Sequence, residues 1–191
     1  MTTTHQAVAA LEESWIDAGY GSQEEMMQAL SEGKAMIETY IEGFRAKPVT
    51  AETLYLEKRL RLDMGEFDLI GQVDRVDCHE GGGMEIVDYK SGRSTVVPED
   101  IESDLALNCY ALLVKGKHPS VLISGTIIAL RTGQCATHTF DLDALARFRE
   151  DLVVLGKEIL HRDYASLVPL KKELCDDCDF LALCRKHPEY R

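Results

Sequence analysis

Residues 67–90 constrain this chain more than any other stretch. Two apolar, β-branched runs, Phe67 to Cys78 and Met84 to Lys90, flank the turn His79-Glu-Gly-Gly-Gly83, which reads as an antiparallel hairpin. If residues 79–83 form the loop, Cys78 opposes Met84. Counting back then sets Asp74 opposite Asp88 and Gln72 opposite Lys90. Side chains two apart in a strand share a face, so Asp88 and Lys90 point one way and Tyr89 the other. Directly opposed Cβ atoms lie roughly 4.5–5.5 Å apart, and two carboxylates so placed repel unless a cation stands between them. The neighbours Leu69, Ile70, Val73, Val76, Ile86 and Val87 are too apolar for a freely exposed hairpin, and carboxylates in a buried pair must be partnered. Lys90 is one candidate cation. A hard divalent ion, Mg²⁺ or Mn²⁺, suits the oxygen donors better. Glu85 falls on the face opposite Asp88 and is not expected to be a ligand.

Around the hairpin, the hydrophobic pattern predicts alternating classes of element. Ser22 with Glu25 forms a capping-box pattern, and Met26, Leu30, Gly33, Ile37, Tyr40 and Phe44 then recur at helical spacing. Val8, Leu11, Trp15 and Ala18 mark a shorter helix before it, with His5 near its start. From Leu54 to Leu62 the period becomes two, with Leu54, Leu56, Leu60 and Leu62 on one face and Tyr55, Glu57, Arg59 and Arg61 on the other; the charged face reads as solvated ion pairs. Residues 102–115 read as a buried apolar helix. Val121 to Arg131 and Cys135 to Phe140 read as a second hairpin. Leu145 to Ile159 reads as a last helix capped by Asp141 or Asp143. This order predicts an α/β class, a central mixed β-sheet flanked by helices.

With 191 residues, 45% of them hydrophobic, the chain can bury a core without disulfides. Its longest apolar stretch, Val121 to Leu130, is ten residues, too short to span a membrane. The opening Met-Thr-Thr-Thr-His has no signal-peptide pattern, so a soluble, cytoplasmic protein with no membrane partner is expected. The net charge of -12 argues against coating nucleic acid by bulk electrostatics. It does not exclude a metal-dependent phosphodiester site, because bound cations invert the local field.

An Asp on one strand, Asp-x-Lys on the next, and Gly71 ahead of Asp74 resemble the RecB-like branch of the PD-(D/E)XK nucleases. The resemblance covers nearly the whole chain and implies a restriction-endonuclease-like fold. That branch carries a metal-ligating His in an upstream helix, and Thr4-His5-Gln-Ala-Val8 is similar. Downstream it has a substrate-placing helix with Gln four residues before Tyr. Asp104-Leu-Ala106-Leu-Asn108-Cys-Tyr110 is similar, with Ala106 in place of the Gln.

The C-terminal Cys175-x2-Cys178-x5-Cys184 is the second signal. Thiolates so clustered hold Zn²⁺ or an iron–sulfur cluster. In the iron–sulfur subset of RecB-like nucleases (helicase–nuclease subunits and CRISPR adaptation nucleases), three such Cys join a fourth upstream of the motif His. This chain has no Cys ahead of His5, so the fourth ligand of a [4Fe-4S] cluster is not in it. For zinc, the rival, only His187 offers itself as the fourth ligand.

The resemblance thus implies a nuclease core over residues 1–165 and a cysteine segment over 166–191 packed on the same domain. Its expected activity is metal-dependent DNA hydrolysis, as an exonuclease on single-stranded ends in repair or recombination. Asp74, Asp88 and Lys90 would be catalytic, and His5, Asp74, Asp88 and the Tyr89 carbonyl would hold Mg²⁺ or Mn²⁺. Ser91, Arg93 and Tyr110 would meet substrate, and a helicase or other DNA-processing subunit is the expected partner. The alternative is a catalytically weak nuclease-like module that binds DNA or a partner within a helicase assembly.

Overall fold

The computed structural model describes residues 3–46, 50–92 and 95–190. The chain forms two compact units, Met1–Asp151 and Leu152–Arg191. In the first, α1 (Thr4–Ser14) and α2 (Gln23–Ala46) precede three antiparallel strands, β1 (Ala51–Asp63), β2 (Asp68–His79) and β3 (Met84–Lys90). Two helices, α3 (Pro98–Glu102) and α4 (Leu105–Lys117), then carry the chain over to β4 (Ile123–Ala129), parallel to β3. Strand β5 (Gln134–Thr139) returns antiparallel, and α5 (Leu142–His161) follows. The sheet order is β1-β2-β3-β4-β5. This is the expected α/β architecture, a mixed sheet flanked by helices. No helix among the described residues is long and apolar enough to cross a membrane.

Local chemistry sets the helix ends. The Ser22 hydroxyl accepts from the Glu25 N–H at 3.1 Å, and the Glu25 carboxylate accepts from the Gly21 N–H at 2.8 Å, so α2 starts at the expected capping box. Asp141 caps α5 by accepting from the Ala144 N–H at 2.8 Å. The first helix is shorter than its periodicity predicts: it stops at Ser14. Trp15 instead folds back beside Gly33 of α2, where an added Cβ would lie 3.3 Å from Leu11 and 3.5 Å from Trp15. The single helix expected over 102–115 is two helices, because the Asp104 carboxylate accepts the Leu107 N–H at 3.0 Å and starts α4 anew.

Helix α4 lies across β1 to β4 on one face of the sheet, burying Leu107, Ala111, Leu112, Leu113 and Val114. On the other face Tyr40 of α2 meets Tyr89. The uniform alternation expected for β1 is not found. Leu62 and Tyr55 both face α4, Leu62 against Gly116 and Tyr55 bonded to His118 at 2.9 Å, although seven residues separate them. The cause is Glu57, which adopts a left-handed backbone with φ 45° and shifts the pleat by one residue. Leu56 and Leu54, the latter unpaired where the register shifts between Thr53 and Tyr55, face solvent, 66% and 41% exposed, while Leu60 is buried. Strand β2 slips too. Gly71 faces α4 and Arg75 faces α2, although a regular strand would put residues four apart on one face. The slip falls at Asp74, across from Glu57.

The second unit contains the end of α5, two 3₁₀ turns at Tyr164–Ser166 and Glu173–Cys175, and the short helix α6 (Leu181–Cys184).

Candidate active site

The expected register holds over Arg75–Cys78, from Cys78 opposite Met84 to Arg75 opposite Val87, and the pairing stops before the expected Asp74–Asp88 and Gln72–Lys90 pairs. One step further along are Asp74 and Asp88. The side chain of Asp74 accepts the Tyr89 N–H at 3.0 Å, so a carboxylate takes over where the backbone ladder ends. Asp88 is buried, 5% exposed, and its Oδ2 lies 2.8 Å from Lys90 Nζ. Burial pushes the Asp88 carboxyl above the usual range; Lys90 opposes this, while Asp74 and Asp104 add to it. For Lys90, burial pulls down and the Asp88 contact pulls up, with the net shift upward.

Tyr110 of α4 joins this side. Its hydroxyl is pushed up by burial first and then by the charges of Asp88 and Asp74. Gly71 makes the approach of α4 feasible, since a Cβ there would lie 2.8 Å from Leu113 and 3.0 Å from the Tyr110 ring. Asp104 is the group that reading the sequence for motifs overlooked. As N-cap of α4 it adds a third negative charge near Asp88, Lys90 and Tyr110. The signal that could have found it is its place as a capping residue ahead of an apolar helix.

Other expected residues lie elsewhere. His5 is exposed on α1. Among the described residues no three His, Cys, Asp or Glu side chains are gathered into a group able to hold a metal, so His5 does not join Asp74 and Asp88 in this structure. The docking of α1 on α2 through Leu11 and Trp15 leaves the histidine at the free end of its helix. Ser91 is exposed in the turn after β3. Arg93 lies outside the described residues. Glu85, on the reverse face, is engaged by the Thr126 hydroxyl and by His79 Nε2 at 2.8 Å. Gln72 donates to Glu57 at 2.8 Å rather than facing Lys90.

A family model for the PD-(D/E)XK nuclease superfamily matches residues 2–185, nearly the full chain, across the strand pair just described. The chain belongs to this superfamily. A search of curated proteins finds no match. Superfamily members are nucleases that generally use divalent metals. The donor set fits such an ion: two adjacent carboxylates, one of them buried and held away from its usual pKa, offer hard oxygens at a point where negative charge is under-compensated.

The cysteine segment has a different character. Cys175 Sγ accepts the Lys172 N–H at 3.2 Å, and turns at Cys178 and Cys184 follow, with Cys178 N bonded to Cys175 O at 3.2 Å. Among the described residues the three thiols are not gathered into one ligand group, with or without His187, and three thiols alone fall short of the four ligands of a [4Fe-4S] cluster. As it stands the segment does not fit a complete cluster.

Proposed function

We propose that this chain is a Mg²⁺- or Mn²⁺-dependent deoxyribonuclease of RecB-like type, acting as an exonuclease on single-stranded ends during repair or recombination. The observation that carries the reading is Asp88, buried beside Asp74 with Lys90 as its direct counter-ion. Asp74, Asp88 and the Tyr89 carbonyl would hold the ion. The ion would supply positive charge at the scissile phosphate and lower the pKa of the attacking water. Lys90 would stabilise charge that develops on the phosphoryl oxygens and orient the attacking water, a role suited to a compact point charge. Asp74 fixes the Tyr89 peptide through its N–H. Tyr110 would offer a neutral hydroxyl to the substrate, and Ser91 and Arg93, next after β3 in the sequence, would meet a neighbouring phosphate. His5 is the further donor that the resemblance implies, and the reading does not depend on it.

The test is cleavage of single- and double-stranded DNA with Mg²⁺ or Mn²⁺, run beside Lys90→Ala. Metal-dependent shortening of single-stranded ends, lost in Lys90→Ala, supports the proposal. DNA binding without cleavage by the wild type would favour the weak-module alternative, which the replacement of the helix Gln by Ala106 also favours. A [4Fe-4S] cluster on Cys175, Cys178 and Cys184 requires a fourth ligand beyond these three. Iron with equimolar sulfide in the purified protein would support it, and zinc would replace it.

A further inference from the structure

The regular pairing of β2 with β3 ends at Arg75 opposite Val87, one residue short of the two carboxylates. Beyond that point side chains tie the strands together. On one side Asp74 holds the Tyr89 N–H. Behind the sheet, Arg75 Nη1 donates to the Tyr89 hydroxyl at 2.7 Å and to the Tyr40 hydroxyl at 2.9 Å. The two hydroxyls are 3.0 Å apart, and the rings meet edge to face with centroids 5.4 Å apart. Arg75 is itself held, its Nε 3.1 Å from the buried Asp77, whose other oxygen accepts from Thr53 at 2.9 Å. Arg75 directly follows Asp74, and Tyr89 stands between Asp88 and Lys90.

We infer that the Arg75–Tyr89–Tyr40 knot is a positioning device for the metal site, an inference that rests on the reading above. All three side chains meet on the α2 side of the sheet, away from Tyr110 of α4. By clamping the Tyr89 side chain to β2 and α2, the knot fixes the peptide groups on either side of that residue. One provides the N–H that orients Asp74; the other provides the carbonyl assigned to the ion. The β4 ladder still holds β3 as far as Lys90 opposite Ala129, but the β2–β3 ladder has ended, so the spacing of the two carboxylates across these two strands depends on these bridges. Partners that orient metal ligands from behind typically set affinity by about 10–100-fold.

The experiment is calorimetric titration of Mn²⁺ into the full chain, for wild type, Tyr89→Phe, Tyr40→Phe and Asp88→Asn. Thermal unfolding in chelator is recorded for each. Tyr89→Phe keeps the ring and its packing and removes the hydroxyl that bonds Arg75. It should bind Mn²⁺ about tenfold more weakly, and Tyr40→Phe should show a smaller loss in the same direction. A merely structural knot would lower the unfolding temperature and leave Mn²⁺ affinity unchanged; that result overturns the inference. If Tyr89→Phe does not fold, the Tyr40→Phe affinity decides on the same terms. Should Asp88→Asn bind Mn²⁺ as the wild type does, the metal-site reading fails, and this inference with it. Loss in Asp88→Asn with wild-type affinity in both Phe variants sinks the inference alone.

Discussion

Asp88 is held by burial in a state that costs the fold and serves the site. Its carboxyl is pushed above the usual range by burial first, with Asp74 and Asp104 contributing and Lys90 opposing. Asp88→Asn removes the charge and keeps the shape. Cleavage should fall at least about a hundredfold, since several kcal/mol of transition-state charge stabilisation depend on a correctly held ion. In chelator the same variant should unfold at a higher temperature than the wild type, because the repulsion from Asp74 is gone; calorimetry checks this. The pH dependence has a definite sign. A raised carboxyl pKa means that the folded protein binds more protons than the unfolded chain between the ordinary Asp range and the shifted value. Metal-free stability therefore falls as pH rises through that window. Below it both states are protonated, and above it the penalty is complete. Asp88→Asn should lack this slope, and thermal melts in chelator across the mildly acidic range measure it. At sub-saturating metal, Mn²⁺ binding should be lost on acidification at a pH above that of an ordinary carboxylate.

At the scale of elements, the hairpin was the most legible part of the chain. The run of glycines at 81–83 fixes the loop, and counting from it gave Cys78 opposite Met84, as found. The slips in β1 and β2 were not legible. Left-handed backbone at Glu57 has no signature in a residue that usually avoids it, and the Leu54–Leu62 alternation looked unbroken. The start of α4 was misplaced for a related reason: Asp104 breaks the helix by accepting the Leu107 N–H, while the apolar pattern runs on past it. The place of His5 depends on how two helices dock, which no local pattern records. Helix α4 reaches β2 only because position 71 lacks a side chain. Gly71→Ala would press a methyl group to 3.0 Å from the Tyr110 ring and 2.8 Å from Leu113, which is fully buried and cannot withdraw freely. A loss of about 1–3 kcal/mol is expected from overpacking, read by chemical denaturation. Gly116→Ala should cost less: its nearest neighbour is also a leucine end, Leu62 Cδ1 at 2.6 Å, but Leu62 is only half-buried and has room to withdraw.

For the whole molecule, the difficulty is charge. A DNA nuclease must hold a polyanion, yet this chain carries -12, and a metal ion neutralises only the phosphate at the site. Several of the chain's arginines are engaged within the protein. Arg61 pairs with Asp68 at 2.5 Å and Arg131 with Glu32 at 3.0 Å. Such exposed pairs are worth little individually, but each puts a carboxylate beside the cation that a phosphate would need. Among the described residues Arg59, Arg147 and Arg149 stand outside these pairs, enough for no more than a handful of phosphates. Each neutralised phosphate steepens the dependence of binding on salt. The isolated chain should therefore bind single-stranded DNA no more tightly than about 1 μM at physiological salt, the range of non-specific binding, and should release it as salt rises. Efficient cleavage would then need a DNA-handling partner, such as a helicase subunit, to deliver the strand to Asp74 and Asp88. Fluorescence anisotropy of a labelled single strand, with Ca²⁺ in place of Mg²⁺ to prevent cleavage, measures the affinity. Nanomolar binding by the chain alone would mean that its basic side chains form a continuous groove despite the net charge, and the requirement for a partner would fall.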